Sequence, residues 1–394
     1  MSLQSIGIAA DSRSVPGRSF KAPGRVNLIG EHVDYTGGVV LPIAIPFATI
    51  VELRRHPAIS GYTFTSESSY EEEHIGIADR SPGRGAWCDY PIGVLRELQK
   101  LNLELPPFEL HVCSDVPQNV GLSSSASLEV ATAMALLFHC GAALSAKEIA
   151  MLCQRAENNY VGSPCGIMDQ FAVTAAMRGH ALLLNTRTLD FQQLPLCQGG
   201  LAETVIIVAN SGVRHSISAG DYGVRRRELE AGQTALRERF PRLRDLSEAT
   251  LDQLQTCERM MSPMSFRRCR HVITENARVY EAREAMLAGD PIRLGAAMIA
   301  SHQSQCDDFE CSVEEIDFLV ATARRSPACF GARLTGGGFG GCTVNLIQAG
   351  SEDRFCSELA EAFNFRFGHR PETYICAASD GALAYTELSQ EELS

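Results

Sequence analysis

Gly121-Leu122-Ser123-Ser124-Ser125-Ala126-Ser127 stands between an apolar strand, roughly His111 to Val116, and a long apolar helix that ends near Gly141. The order strand, small-residue loop, helix matters because a helix N-terminus has unpaired amides and a partial positive charge. Small residues just ahead of it let a phosphate reach those amides. The serines add hydroxyl donors and candidate magnesium ligands. Taken alone, the segment also reads as an ordinary serine-capped helix.

Downstream, Ser145-Ala146-Lys147-Glu148 forms a capping box and opens a second helix. Its inward stripe is Ile149, Leu152, Cys153, Ala156 and Tyr160, which puts Glu157 on the edge of the buried face. A carboxylate there needs a partner. Gly162 and Pro164 end this helix, and the next begins between Gly166 and Phe171 with Asp169 in its first turn. Strands are expected at Ala181 to Leu184 and Val205 to Val208, and a charged helix at Arg225 to Arg244, interrupted near its end by Pro241 and lying on the outside of a second lobe. Ala332 to Thr335 and Cys342 to Ile347 read as strands joined by Gly336 to Gly341, with a helix from about Glu352. That glycine cluster fits GxGxxG formally. A strand rather than a helix follows it, so a dinucleotide-binding turn is rejected, leaving either a glycine hairpin that walls a nucleotide side or a plain tight hairpin. A P-loop is excluded because none of the three lysines, Lys21, Lys100 and Lys147, adjoins such a loop.

Upstream, Gly24-Arg25-Val26-Asn27-Leu28-Ile29-Gly30-Glu31-His32-Val33-Asp34-Tyr35 leads from a first strand into a turn, with Val39-Val40-Leu41 beyond Gly37-Gly38. Arg25, Glu31, His32 and Asp34 crowd this turn. Such a polar rim beside apolar strand residues can read sugar hydroxyls, or it can be a solvated turn with an ion pair.

Composition bounds these readings. A chain of 394 residues predicts two domains, divided between Leu184 and Val205 and placed at 1–195 and 196–394. A net charge of −12 argues against nucleic acid or anionic lipid as partners, so any phosphate site is a local device. No apolar run reaches spanning length and Met1-Ser2-Leu3-Gln4 lacks a secretory plan, which predicts a cytoplasmic protein with no membrane partner. The fourteen cysteines are scattered and read as reduced core thiols; neither Cys269-Arg270-His271 nor Cys306 with Cys311 has zinc spacing.

Together these segments resemble the GHMP small-molecule kinases, in particular their galactokinase branch. The Gly24 to Tyr35 segment matches the branch signature, the serine segment the phosphate motif, and Leu334-Thr335-Gly336-Gly337-Gly338-Phe339-Gly340-Gly341 the third motif. Further likeness lies in Trp87-Cys88-Asp89-Tyr90, Cys165-Gly166-Ile167-Met168-Asp169-Gln170, Asn210 to Arg227 and Ser379-Asp380-Gly381-Ala382, so it spans nearly the whole chain. The resemblance implies an α+β, two-lobed GHMP kinase fold, with an N-terminal lobe like ribosomal protein S5 domain 2 and a ferredoxin-like C-terminal lobe. ATP and sugar would meet in the cleft.

It further implies ATP and Mg2+ as cofactors and transfer of the γ-phosphoryl group to the C1 hydroxyl of galactose. Asp169 would be the catalytic carboxylate, with Arg25 as its cationic neighbour favouring the charged form. Arg25, Glu31, His32, Asp34, Gly166, Asp169 and Tyr222 would surround the sugar. The loop Asn119, Val120, Gly121, Leu122, Ser123, Ser124 and Ser125 would cradle the phosphates, Trp87 and Tyr90 would wall the adenine, and Ser125 with Glu157 would hold magnesium. The sequence departs from the branch at Pro117-Gln118-Asn119-Val120, at Val33 and Thr36, at Ser304-Gln305-Cys306-Asp307 and at Asn185. A related sugar 1-kinase, acting on N-acetylgalactosamine or another monosaccharide, differs only in pocket volume. A silent sugar sensor would lose part of the serine motif, which is intact here together with Asp169 and Glu157.

Overall fold

The computed structural model describes residues 17–57, 59–118, 120–214 and 218–387, leaving out the side chains of residues 70, 214, 218–222 and 386–387. The first half runs β1 (Arg18–Asn27), β2 (Val39–Val40), β3 (Pro42–Arg55), β4 (Gly61–Ser66), β5 (Ser69–Gly76), α1 (Asp89–Gln99) and β6 (Phe108–Ser114). It continues through α2 (Ser124–His139), α3 (Ala146–Ala156), α4 (Met168–Ala175), β7 (His180–Asn185) and β8 (Phe191–Pro195). The second half comprises β9 (Thr204–Arg214), α5 (Ser218–Arg239), α6 (Leu251–Thr256), α7 (Pro263–Leu287), α8 (Pro291–Ser304), α9 (Glu314–Ala323), β10 (Cys329–Thr335), β11 (Gly340–Gln348), α10 (Glu352–Phe367) and β12 (Glu372–Cys376). This is the mixed α+β, two-lobed arrangement expected.

The first sheet has the order β1-β3-β6-β4-β5 and is antiparallel except where β4 runs parallel to β6. Strict alternation decides its faces: Phe108, Leu110 and Val112 of β6 point inward while their neighbours do not. They pack with Phe20, Val51 and Phe64 against Leu98 of α1, Val130 and Leu136 of α2 and Leu152 of α3. A small sheet, β2-β7-β8, lies beside it.

The second lobe is built on the antiparallel sheet β10-β11-β9-β12. In β9 the same period of two sends Ile207 and Ala209 to one face, where Leu319 of α9 and Phe355 and Phe363 of α10 cover them. Ile206 and Val208 go to the other, joining Val344, Val279, Met286 and Met298 in a cluster that also takes Val26, Leu28 and Ile43 from the first half. One apolar core therefore bridges the halves. A single bridge between Ala44 and Ser379 stitches them again.

Two boundaries differ from expectation for local reasons. Strand β6 ends at Ser114 because Asp115 takes the Ala48 amide with its side chain (2.6 Å), which closes the ladder early. Helix α5 stops at Arg239 because Phe240 precedes Pro241, a position biased out of helical geometry. Nor is α5 simply an outer face, since Leu229 and Leu236 are buried with Val33, Val40 and Phe171 of the first half. All fourteen cysteines are free and half of them are buried, as core thiols should be. Among the described residues no helix is long and apolar enough to cross a membrane.

Candidate active site

Helix α2 does not begin with a conventional serine cap. Ser123 occupies the cap position at φ 59°, left-handed, and its side chain makes no cap bond. Its hydroxyl instead donates to Asp169 Oδ2 at 2.5 Å. The first amides of α2 are thus left to another acceptor, the arrangement an anion site requires.

Arg25, at the end of β1, organises the same point. Its Nε and Nη2 donate to Asp169 Oδ1 (2.7 Å) and Oδ2 (2.5 Å), a bidentate fork. Its Nη1 donates to the Gly121 carbonyl (2.6 Å), and its backbone amide donates to the Leu122 carbonyl (3.1 Å). A Cβ at Gly24 would lie 2.7 Å from that Leu122 oxygen, so the close crossing of β1 and the serine loop needs glycine there. Arg25 is nearly covered, whereas 26% of the Asp169 side chain remains exposed, leaving the carboxylate an open side. Val120 is fixed from the second lobe, its carbonyl accepting from Cys342 Sγ (2.9 Å).

The turn after β1 is held from two directions. Glu31 Oε1 forms an ion pair with Arg333 Nη2 (2.9 Å) and accepts from Thr335 Oγ1 (3.0 Å) and the Gly336 amide (3.0 Å), all at the start of the glycine hairpin. From α7, Glu275 Oε1 accepts the Gly30 and Glu31 amides (2.9 and 3.2 Å), and His271 Nε2 meets the Glu31 carbonyl at 3.2 Å. Burial alone would raise the Glu275 carboxyl, but Arg278, His271 and Arg333 hold it down at about 2. His32, at φ 61°, stacks on Phe309 with centroids 4.1 Å apart, and burial pushes its pKa down to about 3, so the ring is neutral. Asp34 is raised to about 7 by burial and by the nearby charges of Asp169 and Glu31. Its carboxylate lies against Gly166, where a Cβ would come within 1.7 Å of Oδ2; no other residue fits.

Glu157 opens a π-turn after α3 and is buried as its edge position predicted. Ser125, Cys165 and Gln170 donate to it, Gln170 Nε2 at 2.6 Å from Oε2. The same Nε2 donates to Glu129 Oε2 at 3.1 Å, tying a second, fully buried carboxylate to the first. Burial and the neighbouring acids push Glu157 up to about 7 and Glu129 well above the usual carboxylate range. Oxygen donors with surplus negative charge fit a hard divalent cation. Trp87, Tyr90 and Leu128 line a cavity of about 190 Å³ together with Gln118, Ser124 and Ser125. A second cavity, about 270 Å³, lies between Val120, Gly121, Val213 and the Thr335–Gly341 hairpin.

The structure thus brings Arg25, Gly121, Leu122, Ser123 and Asp169 into one constellation, sets Asp34 and Gly166 beside it, and joins Ser125 to Glu157. The hairpin lines the second cavity and its first residues also grip Glu31 in the turn after β1. Asn119 and the side chain of Tyr222 lie outside the described residues. Sequence reasoning missed Arg333, Glu129, Glu275 and His271. Arg333 between Ala332 and Leu334, and Glu129 one turn after Ser125 in an apolar helix, were readable as buried charges in need of partners. Glu275 and His271 sit in a helix polar on several sides, and their partners lie more than two hundred positions away.

The departures have tasks in the fold. Val33 joins the cluster under α5, Thr36 donates to the Val33 carbonyl, Asn185 Oδ1 accepts two amides of the following turn, and Gln118 lines the smaller cavity.

Comparison with known proteins converges on the same chemistry. The galactokinase galactose-binding signature matches residues 12–55, the GHMP kinases N terminal domain residues 89–177 and the GHMP kinases C terminal domain residues 282–364. The galactokinase of Homo sapiens is 40% identical over 374 residues, covering 93% of this chain and 92% of that protein. That of Roseiflexus sp. (strain RS-1) is 38% identical over 362 residues, covering 92% and 91%. Among solved structures, Lactococcus lactis galactokinase complexed with galactose superposes with a TM-score of 0.87 at 28% identity, covering 94% of this chain and 95% of that one. Methanococcus jannaschii mevalonate kinase, at 18% identity, TM-score 0.68 and coverage of 93% and 99%, shares the fold. The chain belongs to the galactokinase family of the GHMP kinases.

Proposed function

We propose that the chain transfers the γ-phosphoryl group of ATP to the C1 hydroxyl of D-galactose, giving galactose 1-phosphate and ADP. The observation that carries this is the Arg25–Asp169–Ser123 constellation. It places an open carboxylate at the junction of the α2 N-terminus and the turn inside the galactose-binding signature. Phosphoryl transfer asks mainly for positioning and charge stabilisation, and this junction offers both.

In the proposed reaction the γ-phosphate lies against the α2 amides and the Gly121–Ser125 loop, and the adenine lies in the cavity of Trp87 and Tyr90. Asp34, His32, Glu31 and Gly166 face the sugar, and the resemblance to the family adds Tyr222 to this set. Asp169 accepts a hydrogen bond from the C1 hydroxyl and takes its proton as oxygen bonds to the γ-phosphorus, while the bond to the bridging oxygen breaks and ADP leaves. Arg25 and Ser123 fix the plane of the Asp169 carboxylate. Ser125 and Glu157 would hold Mg2+, which when bound neutralises charge on the phosphate oxygens. The lobe division at 195/196 is kept as a proposal, supported by the break between β8 and β9. A cytoplasmic location, where ATP is supplied, and no nucleic-acid partner complete the reading.

The test is a pair of variants assayed for galactose 1-phosphate. Asp169→Asn should still bind galactose but lose roughly 10²-fold or more in turnover. Glu157→Gln should raise the magnesium concentration needed for half-maximal rate. Near-normal turnover in the first, or an unchanged magnesium titration in the second, would remove the corresponding role.

A further inference from the structure

Beside β10, where it leads into the glycine hairpin, three side chains of different chemistry converge. Helix α8 widens at its end into a π-turn, Gln305–Phe309, which carries Cys306 back over His302. Asp317, in the first turn of α9, completes the group. Cys306 Sγ is 3.3 Å from Asp317 Oδ1 and 3.7 Å from His302 Nε2, and that Nε2 is 3.5 Å from the same oxygen. Cys311, which lacks zinc spacing to Cys306 in the sequence, takes no part: it is buried and turned to the Gln305 carbonyl.

These separations have a meaning. Zinc bonds of about 2.0–2.3 Å at tetrahedral angles put neighbouring N, O and S donors roughly 3.3–3.6 Å apart, which is one face of the observed triangle. Thiol and imidazole donors select zinc-like ions over magnesium. His302 is buried, whereas Asp317 is exposed, so an ion has an entry path and room for a water as fourth ligand. The three ligand atoms already lie within 4.8 Å of one another, so little rearrangement is needed.

We propose that His302, Cys306 and Asp317 form a binding site for a zinc-class divalent ion whose occupancy weakens sugar binding. The coupling follows from the second nitrogen of His302. The Leu334 amide donates to Nδ1 at 3.3 Å, which leaves the ring proton on Nε2. When the ion binds, the Cys306 thiol gives its proton to solvent and its sulfur lone pair to the metal. The Nε2 proton moves to Nδ1 and the freed Nε2 lone pair ligates. Nδ1 can then no longer accept from Leu334. The next two residues, Thr335 and Gly336, are those that hold Glu31. Loss of the His302–Leu334 bond therefore loosens the far side of the sugar turn.

The metal arm of the test is independent of the galactokinase reading; only the coupling arm rests on it. Cobalt(II), added alone to the metal-free full-length protein, should give a thiolate-to-metal absorption band saturating at one equivalent. Cys306→Ser should abolish the band, and Asp317→Asn, at an exposed position, should weaken binding without disturbing the fold. No band, or a band that persists in Cys306→Ser, overturns the site. In the second arm, saturating Zn2+ should raise the galactose KM about fivefold or more in the wild type and leave Cys306→Ser unchanged. A band that depends on Cys306 with an unaltered KM overturns the coupling, and equal inhibition of both proteins places zinc elsewhere.

Discussion

Asp34 is the residue whose surroundings most directly set a pH response. Its ordinary carboxyl value, 3.8, is raised to about 7 by burial and by Asp169 and Glu31. A sugar hydroxyl donates best to the ionised form, so galactose binding should release a proton and strengthen as pH rises through about 7. The galactose KM should therefore fall between pH 6 and 8, and Asp34→Asn should flatten that dependence; a wild-type KM flat over this range would contradict the assignment. Arg25 and Asp169 were legible in the sequence because a charged strand end and a first-turn aspartate stood inside motifs. Ser123 was only half legible: its presence in the loop was plain, but its left-handed backbone and its bond to Asp169 instead of to its own helix depend on a partner 46 positions away.

At the scale of elements, the argument turns on α7. Its buried Glu275 takes two successive amides of the Gly30–Glu31 turn, as well as Ser301 Oγ (2.6 Å) and Arg278 Nε (2.8 Å). A neutral amide in its place would lose charge-assisted acceptance at each contact. Glu275→Gln should therefore raise the galactose KM by about tenfold, the worth of one hydrogen bond to a charged group, with the ATP KM little changed. Equal loss for both substrates, tracking a drop in folded fraction, would reduce Glu275 to a stabilising residue. The strands β7, β9, β10 and β11 and the helices α2, α3 and α10 were readable from period, caps and glycines. The brace from α7 was not, since α7 buries charged and apolar residues alike and its periodicity is blurred.

Across the whole molecule, the apolar cluster shared by the two halves makes them one cooperative unit. Val26, Leu28 and Ile43 are buried in the same cluster as Val208, Met286 and Val344. Urea unfolding followed by tryptophan fluorescence, which reports Trp87 in the first half, and by far-ultraviolet circular dichroism should give coincident transitions. Two separated transitions would show that the lobes fold independently. Composition and length announced two lobes, and motif order announced their family; the shared core was hidden because it is assembled from residues up to about three hundred positions apart. The central claim is most directly tested by sugar-dependent ADP release with magnesium-ATP across galactose, N-acetylgalactosamine, glucose, arabinose and mannose, with Asp169→Asn as control. Strong turnover with galactose that the Asp169 variant lacks is the predicted result, whereas turnover confined to another sugar, or galactose binding without ADP release by the wild type, would contradict it.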